Sequence, residues 1–325
     1  MSSSLIITIL LFLLGLVLII KGGDWFVDAA TWMAAASGLP QFLIGATVVS
    51  MATTLPEIIV STMAAAAGST DLAIGNAIGS VTANTGLIMA ISLIFMPVVI
   101  RMSQFIVKGV LMVLSTLVLW LLCRDGLLSL LESLIVLVLF IAFLIENIRS
   151  AKKLSQEESS DKAVPVDKSR KALLKNLALF VLGAACLVVG SNLLVDNGTV
   201  LAQLLGVSER IIAVTMVAIG TSLPELVTAI TAIVKKQSSM SVGNILGANI
   251  IDITIILPLC ALISGDGLQI AAQSVRQTVY LDMPMCVLET AIAVIPTMLC
   301  KRFTKLQGII MAALYISYVF VTVRI

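Results

Sequence analysis

The sequence predicts an all-α membrane protein: ten transmembrane helices arranged as two inverted five-helix repeats. Three observations predict it. Apolar residues make up 59% of the 325 residues and charged ones only 12%, against about 45–50% and 25% in ordinary globular chains. The mean hydropathy of +1.13 resides in separate apolar stretches, most near the roughly 20 helical residues that a hydrocarbon core demands. The chain also matches itself at one fixed offset of 168 residues.

Charges and Gly, Pro and Ser clusters divide the apolar runs into spans near 5–36, 41–67, 72–97, 105–123, 127–147, 173–203, 209–234, 240–264, 277–299 and 305–323. The first exceeds one bilayer thickness, so it is tilted or bent. Met1 to Leu5 offers neither a positive leader nor a cleavage site, and the first span is read as retained. Ser150 to Arg170 mixes charges of both signs without an apolar period and reads as a flexible linker. The domains are therefore a first repeat (1–149), a linker (150–172) and a second repeat (173–325).

Orientation follows the Lys and Arg distribution. With the N-terminus outside, cytoplasmic loops hold fifteen basic residues: Arg101, Lys108, eight from Arg149 to Lys175, Lys235, Lys236, Lys301, Arg302 and Lys305. External segments hold Arg124, Arg210, Arg276 and Arg324, and Lys21 lies within the first span. Both termini are thus expected outside a plasma (inner) membrane, with the linker cytoplasmic.

The self-match sets Gly22 on Gly190, Val27-Asp28 on Val195-Asp196 and Thr31 on Thr199. Further along, Thr53 falls on Thr221, Leu55-Pro56-Glu57 on Leu223-Pro224-Glu225, Gly75-Asn76 on Gly243-Asn244, and Gly79 on Gly247. Five spans separate matched positions. Because five is odd, the second copy lies upside-down, the inverted-repeat plan of secondary transporters.

Enzymatic chemistry finds little purchase. The chain has no histidine, no phosphate-binding glycine loop and no CxxC among its five cysteines. That removes His-based acid–base catalysis and most zinc or haem sites. Net charge is +2, which gives no basic face for nucleic acid. No cofactor and no obligate protein partner are expected.

The acids carry the chemistry. Glu57 lies roughly 24 Å along its helix from Gln41 and roughly 15 Å from Ala67, hence mid-membrane, and Glu225 is its repeat mate. A carboxylate at that depth costs at least about 2.5–3.5 kcal/mol unless compensated, and no Lys or Arg is expected at mid-span. A mobile cation or a proton must compensate it. Pro56 and Pro224 each remove a backbone hydrogen bond, freeing the carbonyls of Ala52 and Gly220 and loosening those of Thr53 and Thr221. These carbonyls, the hydroxyls of Thr53, Thr54, Thr221 and Ser222, and the two carboxylates form an all-oxygen setting that suits a hard cation such as Ca²⁺.

The next span of each copy adds Gly75-Asn76-Ala77-Ile78-Gly79-Ser80 with Asn84, and Gly243-Asn244-Ile245-Leu246-Gly247-Ala248-Asn249 with Asp252. Glycines four apart are expected to serve close packing. Asn76 and Asn244 are either ligands or interhelical hydrogen-bonding groups. Glu57, Glu225 and Asp252 total −3 when ionised. One Ca²⁺ with a proton, or three Na⁺, neutralises them, and like-charge repulsion disfavours both occupancies at once.

The segments GATVVSMATTLPEIIVS with GNAIGSVTAN, and AVTMVAIGTSLPELVTA with GNILGANIID, resemble the two α-repeats of the sodium/calcium exchanger family, in the prokaryotic form without regulatory domains. The resemblance implies an electrogenic antiporter with four midplane cation sites. It implies Glu57 and Glu225 as central Ca²⁺/Na⁺ ligands, with Thr53 and Thr221 contributing mostly through carbonyls. Ser50 and Ala218 would add carbonyls, Ser80 would serve a flanking Na⁺ site, and Asn84 and Asp252 the middle position. It also implies that the first and sixth spans slide across the rest.

Two departures stand out. Ala52-Thr53-Thr54 replaces the family's common Gly-Ser before the proline, and Ala248 stands where relatives often carry serine. Ala248 leaves H⁺ coupling as an alternative to Na⁺, and the acid at 252 leaves K⁺. An organic-anion carrier predicts a basic or neutral centre, and a scaffold predicts no cation response. Asp24, Asp28 and Asp196 read as interfacial, Asp282 as lying near an external mouth, and Glu289 as a buried protonated acid without a repeat counterpart, with proton coupling as the alternative role.

Overall fold

The computed structural model describes residues 3–95, 102–157, 166–206 and 220–324. Apolar windows become helices because lipid leaves backbone N–H and C=O groups no other partner. The chain opens with α1 (Ser3–Ser37). The second span is α2 (Gln41–Ile44), a π-turn over Gly45–Val49, α3 (Ser50–Thr53) and, after a 44° bend, α4 (Leu55–Ala66). Then come α5 (Thr70–Ala83), a π-turn over Asn84–Met89 and α6 (Ala90–Phe95), followed by α7 (Met102–Leu122), α8 (Leu130–Glu157) and α9 (Arg170–Leu204).

Past residues outside the description lie α10 (Leu223–Val234) and α11 (Ser238–Ile251). A π-turn over Asp252–Ile256, α12 (Leu257–Ser264), α13 (Ala272–Gln277), a π-turn over Thr278–Asp282, α14 (Met283–Cys300) and α15 (Lys305–Arg324) complete it. Among the described residues, eight helical segments are long and apolar enough to cross a membrane, and the bent pair makes a ninth. The first part of the predicted seventh span, with Ala218, lies outside the described residues.

Burial sorts the helices into layers. In α11 every residue from Met240 to Ile251 is buried, as expected of a helix surrounded by protein. Exposed aliphatics such as Leu10, Val17, Val181 and Leu182 lie on α1 and α9, where lipid takes the place of core.

α1 and α9 run antiparallel at backbone contact. A Cβ on Gly15 would stand 3.0 Å from the Gly190 carbonyl oxygen, and one on Gly22 would stand 2.9 Å from that of Gly183. The two contacts exchange when 168 is added to one partner and subtracted from the other. A two-residue antiparallel ladder, β1 (Leu127–Leu128) with β2 (Leu268–Gln269), ties the connections at one end.

Three sequence expectations need correction. The linker is shorter than 150–172: α8 continues to Glu157 and α9 starts at Arg170, capped by the Ser169 hydroxyl, which accepts from the Ala172 N–H at 3.2 Å. Ala, Lys, Leu and Gln are strong helix formers, and a charged helix can project into water where an apolar period ends. Lys108 is no loop residue. It lies six residues into α7, fully buried, with Nζ 3.4 Å from the Ser150 hydroxyl and 5.9 Å from the Phe42 ring centre. Its long stem lets the ammonium reach the polar end of α8. Third, glycines four apart do not all serve close packing, since a Cβ on Gly75 or Gly79 would meet nothing within 4 Å.

Candidate cation site

The bend in the second span falls where the sequence puts Pro56. Thr54 ends α3 with φ −79° and ψ −3°, and Pro56 occupies the first turn of α4, where its missing N–H costs least. Ser222 repeats this before α10, with φ −85° and ψ 6° and Pro224 in the first turn. Each break leaves a glutamate in the first helical turn, Glu57 on α4 and Glu225 on α10. Both are 1% exposed. They lie within electrostatic reach of one another, and Asp252 lies within reach of both.

Cross-repeat hydrogen bonds hold this centre. The Thr53 hydroxyl donates to the Asn244 side-chain carbonyl at 3.2 Å, and the Thr221 hydroxyl donates to that of Asn76 at 3.3 Å. The Thr221 side chain stands beside Glu57, and that of Thr53 beside Glu225. Each pair converts into the other under the same 168-residue exchange. The π-turns likewise begin at matched residues, Asn84 and Asp252. A π-turn widens the helix locally and re-aims its side chains, which is why such turns gather at functional positions.

The polar atoms left over define the site. Both carboxylate oxygens of Glu57, Glu225 and Asp252, Oδ1 of Asn84, and the hydroxyls of Thr54 and Ser222 are buried without hydrogen-bond partners among the described residues. Buried polar groups ordinarily pair. No Lys or Arg in the described residues forms an ion pair with these acids, whose electrostatic neighbours are one another. No three His, Cys, Asp or Glu side chains among the described residues converge as a resident metal centre does. Beside the carboxylates, the unpartnered oxygens at this centre belong to the Asn84 amide and the Thr54 and Ser222 hydroxyls.

A cavity of about 280 Å³ reaches this centre from one end. Its lining includes Asp71, Gln277, Asp282 and Thr322 as well as Asn76, Ser80 and Thr221. The Ser80 and Thr221 hydroxyls are 3.5 Å apart.

The glycines divide here. A Cβ on Gly75 or Gly79 would meet nothing within 4 Å, and both line the cavity. A Cβ on Gly243 would strike the Phe42 carbonyl, and one on Gly247 the Ser50 hydroxyl and the Ala46 carbonyl oxygen, the latter at 2.7 Å. Close packing therefore holds for 243 and 247, and the expectation fails for 75 and 79. Equal sequence spacing meets unequal neighbours.

Comparison with known proteins fits this geometry. The family described as sodium/calcium exchanger protein matches residues 7–148 and again 175–324. The chain belongs to the sodium/calcium exchanger family.

Among relatives of this exchanger-family chain, the uncharacterized membrane protein MJ0091 of Methanocaldococcus jannaschii is 32% identical, with 94% of each chain covered. The sodium/calcium exchanger MaX1 of Methanosarcina acetivorans is 26% identical over 97% of this chain and 98% of its own. A solved structure of the sodium-calcium exchanger NCX_Mj, soaked with Na⁺ and Sr²⁺, superposes with a TM-score of 0.80 at 29% identity, covering 96% and 97% of the two chains. The family is one of transporters, and the chain is an integral membrane protein and not an enzyme.

Of the residues singled out from sequence, Glu57, Glu225, Asp252, Asn84, Thr53, Thr54, Ser222, Ser80 and Ser50 are buried and Thr221 is half-buried. Ser50 points its hydroxyl at the Thr47 carbonyl, 3.1 Å away. Asn76 and Asn244 serve here as interhelical hydrogen-bonding groups. Asn76 also donates to Ser61 at 2.9 Å.

Sequence reasoning passed over Ser61 and Thr228, buried one turn beyond Glu57 and Glu225. Asn249, named in the polar run but given no role, donates to Thr85 at 2.8 Å. The i+3 and i+4 spacing from each glutamate was the available signal. Asp24 and Asp28, read as interfacial, pair with Lys235 at 3.3 and 2.8 Å.

Proposed function

We propose that this chain is a secondary antiporter that exchanges Na⁺ for Ca²⁺ at a central cage built around Glu57 and Glu225. The observation that carries the reading is the pair of matched, buried, unpartnered carboxylates with no fixed counter-cation among the described residues. Two such charges persist in a membrane core only when a mobile cation or a proton neutralises them. Ligands to that ion are Glu57, Glu225, Asp252 and Asn84, with Thr53, Thr221, Ser50, Ser80, Thr54 and Ser222 supplying neutral oxygens. Ala218 would complete the set through its carbonyl. Carbonyls and hydroxyls favour Ca²⁺ and Na⁺ over softer metals.

Exchange follows from electrostatics. Ca²⁺ takes six to eight oxygens, and so does well in a cage of this composition. Once it is seated, its charge repels a second cation from the same oxygens, so Na⁺ and Ca²⁺ occupy the cage in turn. The ions are cargo, and no resident cofactor is invoked.

Alternating access follows from two halves, 1–149 and 173–325, inverted about the cage. The exchanged contact pairs Thr53–Asn244 and Thr221–Asn76 support that plan, as do Gly15–Gly190 and Gly22–Gly183. Open space over Gly75 and Gly79, against tight packing over Gly243 and Gly247, supports a conformation open towards Asp71 and closed at the far end. With the positive-inside orientation, the open end is external, the termini are outside, and the linker is cytoplasmic in a plasma membrane. Sliding of α1 and α9 across the central helices would swap the two environments.

Ala248 favours a second reading, coupling to H⁺, and the acid at 252 a third, coupling to K⁺. Ala248 is the repeat mate of Ser80, whose hydroxyl meets Thr221, and it brings no hydroxyl to the Thr53 side. The test is Ca²⁺ uptake into proteoliposomes driven by an outward Na⁺ gradient, with Ca²⁺ and Na⁺ binding measured by calorimetry. Glu57→Gln and Glu225→Gln should each abolish uptake and Ca²⁺-dependent thermal stabilisation. Uptake that follows only a pH gradient would replace Na⁺ by H⁺, and unchanged ion binding in both variants would end the cage assignment.

A further inference from the structure

We propose that Glu289 is a second ion site of this protein, separate from the central cage, and that its ligand is a proton exchanged with the cavity past Tyr315. Glu289 lies on α14, fully buried, and neither carboxylate oxygen has a hydrogen-bond partner among the described residues. Its seat is built by a glycine. A Cβ on Gly86 would stand 3.0 Å from Glu289 Oε1 and 2.7 Å from the Tyr315 Cβ. Only a residue without that carbon lets the carboxyl group and the tyrosine close on the π-turn together. Tyr315 is 6% exposed yet lines the cavity, so one side chain separates Glu289 from it.

The surroundings select a proton over a metal. The titratable groups on the elements around Glu289 are Cys286 and Cys300 on its own helix, Asp282 just before it, Lys305, Tyr315, Tyr318 and Arg324 on α15, Asp71 on α5, Lys108 on α7 and Asp252 beyond α11. Among the described residues, Tyr315 and Cys286 lie within its electrostatic reach. Asp282 is engaged by the Tyr318 hydroxyl at 2.9 Å, and Lys108 by Ser150 at 3.4 Å. One carboxyl group cannot supply the six to eight oxygens of a Ca²⁺ site, whereas a proton needs one oxygen. In the step, the carboxylate takes a proton from hydronium, leaving a neutral acid and water, and the reverse step returns it.

The repeat gives this site its meaning. At the 168-residue offset Glu289 matches Leu121, which is 45% exposed on α7. A duty common to both halves therefore does not require the acid. Gly86 belongs to the π-turn that begins at Asn84, so the charge on Glu289 bears on the turn carrying a proposed cage ligand. That effect on transport rests on the exchange reading above, whereas the proton site itself does not.

The two parts are separable by experiment. Infrared difference spectra of the purified protein, taken from about pH 5 to about pH 9 to span the range of perturbed carboxyl groups, should show a protonated-carboxyl band. One component of the band should shift in D₂O and fade as pH rises, and that component should be missing from Glu289→Gln, the cage acids accounting for what remains. Glu289→Asp, which keeps the acid, should retain a titrating band and serves if the glutamine variant does not fold. In proteoliposomes, the pH-dependent limb of Ca²⁺ uptake should flatten in Glu289→Gln. A titrating band unchanged in Glu289→Gln, or none that titrates in the wild type, overturns the proposal. A titrating Glu289 band without Na⁺-driven Ca²⁺ uptake keeps the proton site and sinks the exchange reading instead.

Discussion

Lys236 holds a left-handed backbone, φ 59°, at the turn that ends α10, and its repeat mate Gly68 holds φ 76° at the turn that ends α4. The turns share their hydrogen bonds, Gly68 to the Ala65 carbonyl at 3.0 Å and Lys236 to that of Ile233 at 2.9 Å. A side chain in this conformation costs about 1–2 kcal/mol, partly offset by the freedom glycine loses on folding. Lys236→Gly should therefore raise stability by up to about 1 kcal/mol, and Gly68→Ala should lower it by about as much, both read from thermal melts in detergent. At this scale the acids were legible, because a carboxylate amid apolar residues stands out. The role of Asn76 and Asn244 was not, since an amide ligand and an amide bridging two helices look alike until the partner is known.

Among the elements, α1 and α9 meet at four glycines that bring their backbones together, and apolar side chains such as Phe26 and Phe180, stacked at 4.5 Å, fill the interface beside them. Gly22→Val should force the helices apart, because its Cβ would already stand 2.7 Å from that of Cys186. A loss of about 1–3 kcal/mol is expected from overpacking, visible as a lower melting temperature.

Lys235 joins α1 to the end of α10 through Asp24 and Asp28. These pairs are partly exposed and contribute up to about 1 kcal/mol, so Lys235→Met should hardly move the melt. If they exist only in the arrangement with the Asp71 end open, the same change should lower thiol labelling of a Gly75→Cys probe in the cavity. Unchanged labelling would show that α1 and α10 do not separate. The broken spans were readable from Pro56 and Pro224. The extension of α8 to Glu157 was not, because an apolar period reports burial in lipid and falls silent where a helix leaves it.

Across the whole molecule, the glycine asymmetry separates folding from transport. Gly247→Ala should cost about 1–3 kcal/mol by overpacking against Ser50 and Ala46. Gly79→Ala should fold normally, with the helical preference of alanine worth up to about 1 kcal/mol in its favour. If the two environments interchange during transport, Gly79→Ala should still bind Ca²⁺ yet exchange it slowly. Wild-type flux in that variant would argue against the interchange.

The sequence alone determined the class of the molecule, its repeat, its mid-membrane acids and their oxygen-rich setting. Composition, offset and charge are properties of the chain in any conformation. Only the tertiary structure decided which glycines border the cavity, which are pressed against backbone, and which amides bridge helices. Each of those depends on what stands opposite a residue, and two copies of one motif acquire different neighbours when the halves pack unequally around a shared centre.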